Sequence, residues 1–137
     1  MSNPNPPANV IVKYTPGNSS PWSQAPDVKI KVSTGATTIN WTIQVLPASA
    51  GTIVFNTATA TPGIQFTGTG NNAWPGSTPS GSATAYSSTI NNQLAPGSNP
   101  NNYHYKVNAL YTPNGGTQIA VTYDPDVEEN PPSVVIA

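Results

Sequence analysis

The chain has little with which to do covalent or proton-transfer chemistry. Four lysines, five carboxylates, one histidine, no arginine and no cysteine are its ionisable residues apart from six tyrosines. Nucleophilic hydrolysis needs a Ser or Cys beside a positioned base, yet there is no Gly-x-Ser-x-Gly turn and a single His104. His104 sits between Tyr103 and Tyr105 on the polar face of an alternating segment, which predicts an exposed strand residue rather than a base or ligand. Paired carboxylates for glycoside hydrolysis would have to come from Asp27 and the cluster Asp124, Asp126, Glu128 and Glu129. That cluster has no evident counterpart at the required separation of ~5 to 9 Å. No catalytic residue, cofactor or metal site is expected.

The cluster invites a cation reading, because calcium takes several carboxylate oxygens. No EF-hand glycine or twelfth-position Glu follows, and Pro125, Pro131 and Pro132 restrict how the segment can curl. The expectation is an ordered acidic rim formed by Asp124, Asp126, Glu128 and Glu129. Trp22, in Ser20-Pro21-Trp22-Ser23, and Trp74, in Ala73-Trp74-Pro75-Gly76, stand apart from alternating runs. Exposed loops would let such rings stack on a sugar or anchor a partner, whereas buried ones would cap the open end of a core. These six residues are the binding candidates.

Composition narrows the classes further. A net charge of −1 leaves no basic patch for phosphates or anionic lipid, so neither nucleic acid nor membrane is an expected partner. No run approaches the ~18 apolar residues of a membrane helix. The first residues lack a basic start and apolar stretch, which favours the cytoplasm if Met1 is the native start. Without cysteine there can be no disulfide framework.

The elements that position these residues are strands. Thr, Ser, Asn, Gly and Pro supply 73 of the 137 residues, and Val plus Ile outnumber Leu by 20 to 3. β-Branched side chains lose rotamer freedom in a helix and fit a pleated sheet. After a stiff Pro/Asn leader over 1–8, period-2 runs begin at Val10 and at Val28, the latter with a lysine face suited to a solvated edge. The clearest run spans 38–46, with Ile39, Trp41, Ile43 and Val45 on one face of a central strand. Shorter runs follow over 51–56 and 63–67. Residues 68–82 read as a long loop carrying Trp74, and 83–90 as a weak strand. Tyr103, Tyr105, Val107, Ala109 and Tyr111 share one face of a further strand. A turn at 113–116 joins it to 117–123, Asn114-Gly115 supplying positive φ. An apolar tip, 133–137, is expected to add a short terminal strand on the sandwich or a neighbouring subunit.

Strands punctuated every 8 to 12 residues without helical crossovers predict one all-β domain over 9–137, an immunoglobulin-like two-sheet antiparallel sandwich. Trp41 in a central strand, the Leu94-Ala95-Pro96-Gly97 corner and the Tyr-x-Tyr-x-Val-x-Ala run from Tyr103 resemble the immunoglobulin and fibronectin type III folds. That resemblance implies a tyrosine at the start of the penultimate strand tying the preceding corner. Separately, the segment Tyr123-Asp-Pro-Asp-Val-Glu-Glu-Asn-Pro-Pro132 resembles the signature of the DP-EP family of small bacterial immunoglobulin-like proteins, with Asn130 intervening between Glu129 and Pro131. It implies a fold and no activity.

The core is expected from Ile39, Trp41, Ile43, Val45, Tyr105, Val107, Ile119 and Val121. The functional expectation is a non-enzymatic interaction or structural module with a protein partner, or self-associating as a dimer through strand edges. The alternative is a carbohydrate-binding module using Trp22, Trp74 and a Tyr.

Overall fold

The computed structural model describes residues 5–26, 29–32 and 34–131, with the backbone alone for 29–31. Asp27, Val28 and the expected terminal strand 133–137 lie outside the described residues. The strands are β1 (Ala8–Tyr14), β2 (Trp22–Ala25), β3 (Lys29–Val32), β4 (Gly35–Val45), β5 (Gly51–Phe55) and β6 (Ile64–Phe66). They continue as β7 (Ser80–Gly81), β8 (Ala85–Asn92), β9 (Asn101–Pro113), β10 (Ile119–Tyr123) and β11 (Asp126–Glu129).

One sheet runs β2-β1-β4-β8-β7; the other has β9 as its spine, with β10 and then β11 and β3 to one side and β5 and β6 to the other. β10 and β11 keep one register against β9, from Ile119 opposite Tyr111 to Glu129 opposite Asn101. They are a single strand interrupted at Pro125, which has no N–H to return to Tyr105. β5 and β6 are likewise one strand broken by an excursion over 56–63. Asn108 holds that break: its carbonyl accepts from Asn56 N–H (2.9 Å), its N–H donates to Gly63 (2.9 Å), and its side-chain amide donates to Pro62 O (2.8 Å).

With those two pairs counted as single strands and β1–β3 as one opening strand that switches sheets, the first sheet holds the first, second, fifth and fourth strands and the second sheet the third, sixth and seventh together with the end of the first. This is the division of an immunoglobulin-like sandwich, as the sequence predicts. The pairing is not purely antiparallel, because β1 joins β4 and β3 joins β11 in parallel. Both parallel neighbours come from the opening third of the chain, where the strand crosses from one sheet to the other instead of folding back as a hairpin. β2, flanked by Pro21 and Pro26, supplies that detour.

The core follows the period-2 pattern. Ile39, Trp41, Val45, Tyr105 and Val107 are buried, together with Val10, Val12, Phe55, Ile64, Ile90 and Val127. Ile43 and Val121 are half-buried against it. Ile119 is 48% exposed, contrary to expectation. β10 is an edge strand, and its first residue has the parity of the inner face without an opposing layer beneath it.

Four other expectations change. Trp22 lies on strand β2, because the chain between two prolines is extended enough to pair with β1 from Tyr14 to Ile11. The leader is docked at Asn5, whose N–H bonds Ala36 O (2.8 Å) and whose side chain bonds Thr34 O and Thr37 Oγ1 (both 2.9 Å). In the turn over 113–116, Gly116 N–H donates to Pro113 O (3.0 Å) and only Gly115 takes positive φ (68°). Asn114 therefore keeps a negative φ, and Thr117 and Gln118 lengthen the loop beyond a two-residue hairpin. Finally, Tyr103 does not tie the preceding corner; its hydroxyl goes to Glu129.

Candidate functional site

The two candidate tryptophans close different openings of the sandwich. Trp22, on edge strand β2, is half-buried, edge-on to Tyr14 (centroids 4.7 Å) and stacked on Tyr123 of the opposite sheet (5.4 Å, 5°). Trp74 follows β6 in the long loop and is half-buried, stacked on Phe66 at 4.0 Å and 3° and edge-on to Tyr103. Its indole N–H donates to Ser88 Oγ (2.9 Å) and Ser77 O (3.1 Å) on the β8 side. Pro75-Gly76 makes this approach possible: a Cβ on Gly76 would lie 2.6 Å from Trp74 ring atoms and 2.7 Å from Thr89 O. With β1 and β4 between β2 and β8, the two indoles are roughly 14 Å apart across the sheet by strand spacing alone. They share no site.

Beside Trp74 lies a cleft of about 270 Å³ lined by Pro62, Ile64, Gln65, Phe66, Trp74, Gly76, Thr78 and Pro79. None of these groups ionises, so burial, stacking and amide or hydroxyl hydrogen bonds are what the cleft offers a ligand. The two rings that line it already cover one another.

The acidic cluster is split by the pleat. Asp124 is exposed, Asp126 and Glu128 lie on the outer face of β11, and Glu129 turns inward with Val127. At 4% exposure Glu129 accepts a 2.6 Å hydrogen bond from Tyr103 OH, so it is no part of a solvated rim. The reason is positional: Glu129 is two residues from Val127, and period 2 assigns both to one face. Burial first, then the hydrogen bond and charge of Glu129, push the Tyr103 phenol up to about 12, while Asn101 Nδ2 on the phenol oxygen opposes them. Asp126 meets His104 Nδ1 on the outer face, where the imidazole side chain is 61% exposed. In the parallel register Lys29 stands opposite Asp126 and Lys31 opposite Glu128. Among the described residues no three of His, Asp and Glu gather where they could share a metal ion.

Sequence reasoning passed over two features. One is the inter-sheet relay Trp41 Nε1 to Tyr105 OH to Gln24 Oε1, both contacts 3.1 Å and all three residues buried. The other is the edge of β10. Tyr105 N–H donates to Pro125 O (3.0 Å), which fixes the odd residues of this strand as those bonded to β9. Ala120, Thr122 and Asp124 therefore aim their backbone N–H and C=O groups away from β9. β3 covers the strand only from Asp126 onward, and among the described residues no strand lies beside β10 on the side away from β9. Ile119, Ala120 and Thr122 are exposed, and Val121 and Tyr123 are half-buried. The uncharged β-branched run was visible in the sequence; its place at an edge was not.

No protein-family model and no curated protein matches the chain.

Proposed function

We propose that this chain is a non-enzymatic immunoglobulin-like interaction module that holds its partner by strand pairing. The observation that supports this reading is the edge of β10, five uncharged residues whose Ala120 and Thr122 donors and acceptors face away from β9 and meet no strand among the described residues. Such an edge is a template for an added strand, in which backbone hydrogen bonds supply affinity and alternate side chains selectivity. Membership of the DP-EP family, suggested by residues 123–132, fits this reading because that resemblance implies a fold and no reaction. Among the described residues no helix is long and apolar enough to cross a membrane.

The test is a titration of isotope-labelled protein with a capped peptide of alternating Thr and Val. The Ala120 and Thr122 amides should shift and exchange more slowly, and the same peptide N-methylated at alternate residues should leave them unmoved. Unmoved Ala120 and Thr122 amides with the unmethylated peptide would refute the reading.

A second reading, a carbohydrate-binding module, is favoured by the cleft beside Trp74 and its uncharged rim of Gln65 and Thr78. Its only tryptophan is Trp74, since Trp22 lies elsewhere. A neutral hexose oligomer that quenches Trp74 fluorescence, with the response lost in Thr78→Lys, would support it.

A further inference from the structure

We infer that the strand added to β10 is β10 of a second copy of this chain, antiparallel across a two-fold axis at Thr122. The inference rests on the strand-pairing function proposed above and names its partner.

The other sheet edges carry devices that discourage pairing. β3 contributes Lys29 and Lys31 by sequence, β2 is four residues long between Pro21 and Pro26, β7 has two residues after Pro79, and the β5–β6 edge is broken by the 56–63 excursion. β10 has neither a charge nor a proline in its five residues. It also carries Ile119, one of three large apolar side chains exposed on the described surface. A net charge of −1 puts little repulsion between two copies.

The backbone parity narrows the register, and the limits of the strand select within it. Outward groups belong to the even residues, so an antiparallel mate must pair even with even. A two-fold at Asp124 would set one Asp124 against the other and collide with β3, which already covers Asp126. A two-fold at Ala120 or Val121 keeps the parity but draws Gln118, in the loop before β10, into the pairing, whereas a two-fold at Thr122 sets Thr122 against Thr122 and Ala120 against Asp124 of the second copy, using every outward group between the loop and β3. Closed two-fold pairing of identical edges also limits growth to a dimer.

The chain has no cysteine, so Thr122→Cys introduces a single thiol on the exposed face. A hydrogen-bonded antiparallel pair has Cα atoms about 5.5 Å apart, inside the range a disulfide spans. Mild oxidation of this variant should give a covalent dimer under conditions where the control Thr42→Cys, on the outer face of the other sheet, forms no interchain disulfide. Sedimentation equilibrium of the unmodified chain should give twice 14.2 kDa at concentrations on the order of 100 µM, falling to 14.2 kDa on dilution. Ala120→Lys and Thr122→Pro should stay at 14.2 kDa with cooperative thermal unfolding; neither touches the β9 ladder, since both N–H groups point outward. A monomer at every concentration, or a dimer that survives both substitutions, overturns the inference. If the chain is monomeric while the Thr/Val peptide still shifts Ala120 and Thr122, only the choice of partner fails. If the peptide is also without effect, the strand-pairing function fails with it.

Discussion

Tyr105→Phe removes one oxygen from the centre of the sandwich, and the structure sets what that oxygen is worth. The phenol accepts from Trp41 Nε1 and donates to Gln24 Oε1, each at 3.1 Å, so it serves a donor on β4 and an acceptor on β2 from the opposing sheet. Trp41 is 0% exposed and Tyr105 0%, which leaves no water to take over. A buried polar group deprived of its partner costs about 1 to 3 kcal/mol, far more than the net value of an ordinary hydrogen bond. The indole N–H bears that cost in full and Gln24 Oε1 in part, giving an expected loss of about 2 to 4 kcal/mol. Packing contributes little, because Phe fills the same ring volume. Urea unfolding followed by Trp fluorescence should show the midpoint fall with an unchanged slope, and thermal unfolding should drop by about 3 °C per kcal/mol. Tyr105→Phe combined with Trp41→Phe should cost less than the two single losses added, since the second change removes the stranded donor. A single-variant loss under about 0.5 kcal/mol would show that the relay is hydrated, and the argument from burial would fall.

Alkaline pH should destabilise the protein through its tyrosines. Tyr103 is raised from 10.0 to about 12, and Tyr105, Tyr14 and Tyr123 are raised as well, mainly by burial. The unfolded chain then gives up protons first, so stability is intact below pH 10.0 and is lost as pH rises through the folded values, at about 1.4 kcal/mol per unit for each group titrating. Urea midpoints that stay flat from pH 10.0 to about 12 would contradict this. Glu129→Gln should lower the Tyr103 titration seen by ultraviolet absorbance, because it removes the carboxylate that receives the phenol proton's hydrogen bond. His104→Ala should change stability by less than about 1 kcal/mol despite the Asp126 contact, the imidazole being mostly in water. Gly76→Ala should cost about 1 to 3 kcal/mol and alter Trp74 emission, as its Cβ meets the indole ring.

The architecture was legible wherever one face of a strand is buried and the other wet. β4 and β9 carry that alternation over 11 and 13 residues, and their register follows from it. The candidate site was less legible, because its residues owe their roles to partners distant in the chain. Trp22 and Trp74 look alike in the sequence, each beside a proline in a polar stretch. The difference lies in Tyr123 and Phe66, which the topology brings to them across the sandwich or from a broken strand. Glu129 could have been separated from Asp126 and Glu128 by counting two residues from Val127, a signal that the density of acids obscured.

Pro125 shows why a motif can be conspicuous in sequence while its role stays hidden. It interrupts one continuous strand without shifting its register, since Ile119 opposite Tyr111 and Asp126 opposite His104 obey the same pairing. On its C-terminal side the strand is sandwiched between β9 and β3; on its N-terminal side β9 is its one neighbour among the described residues. The Asp124-Pro125 pair thus marks where the sheet changes from covered to bare. Pairing from a second strand can extend along the bare half only as far as Asp124, because β3 occupies the next outward position at Asp126. Deleting the charge by Asp124→Ala should therefore strengthen edge pairing modestly without lengthening it, whereas Asp126→Ala should leave it unchanged. Amide exchange at Thr122 in the two variants checks this: equal responses would mean that β3 does not set the limit.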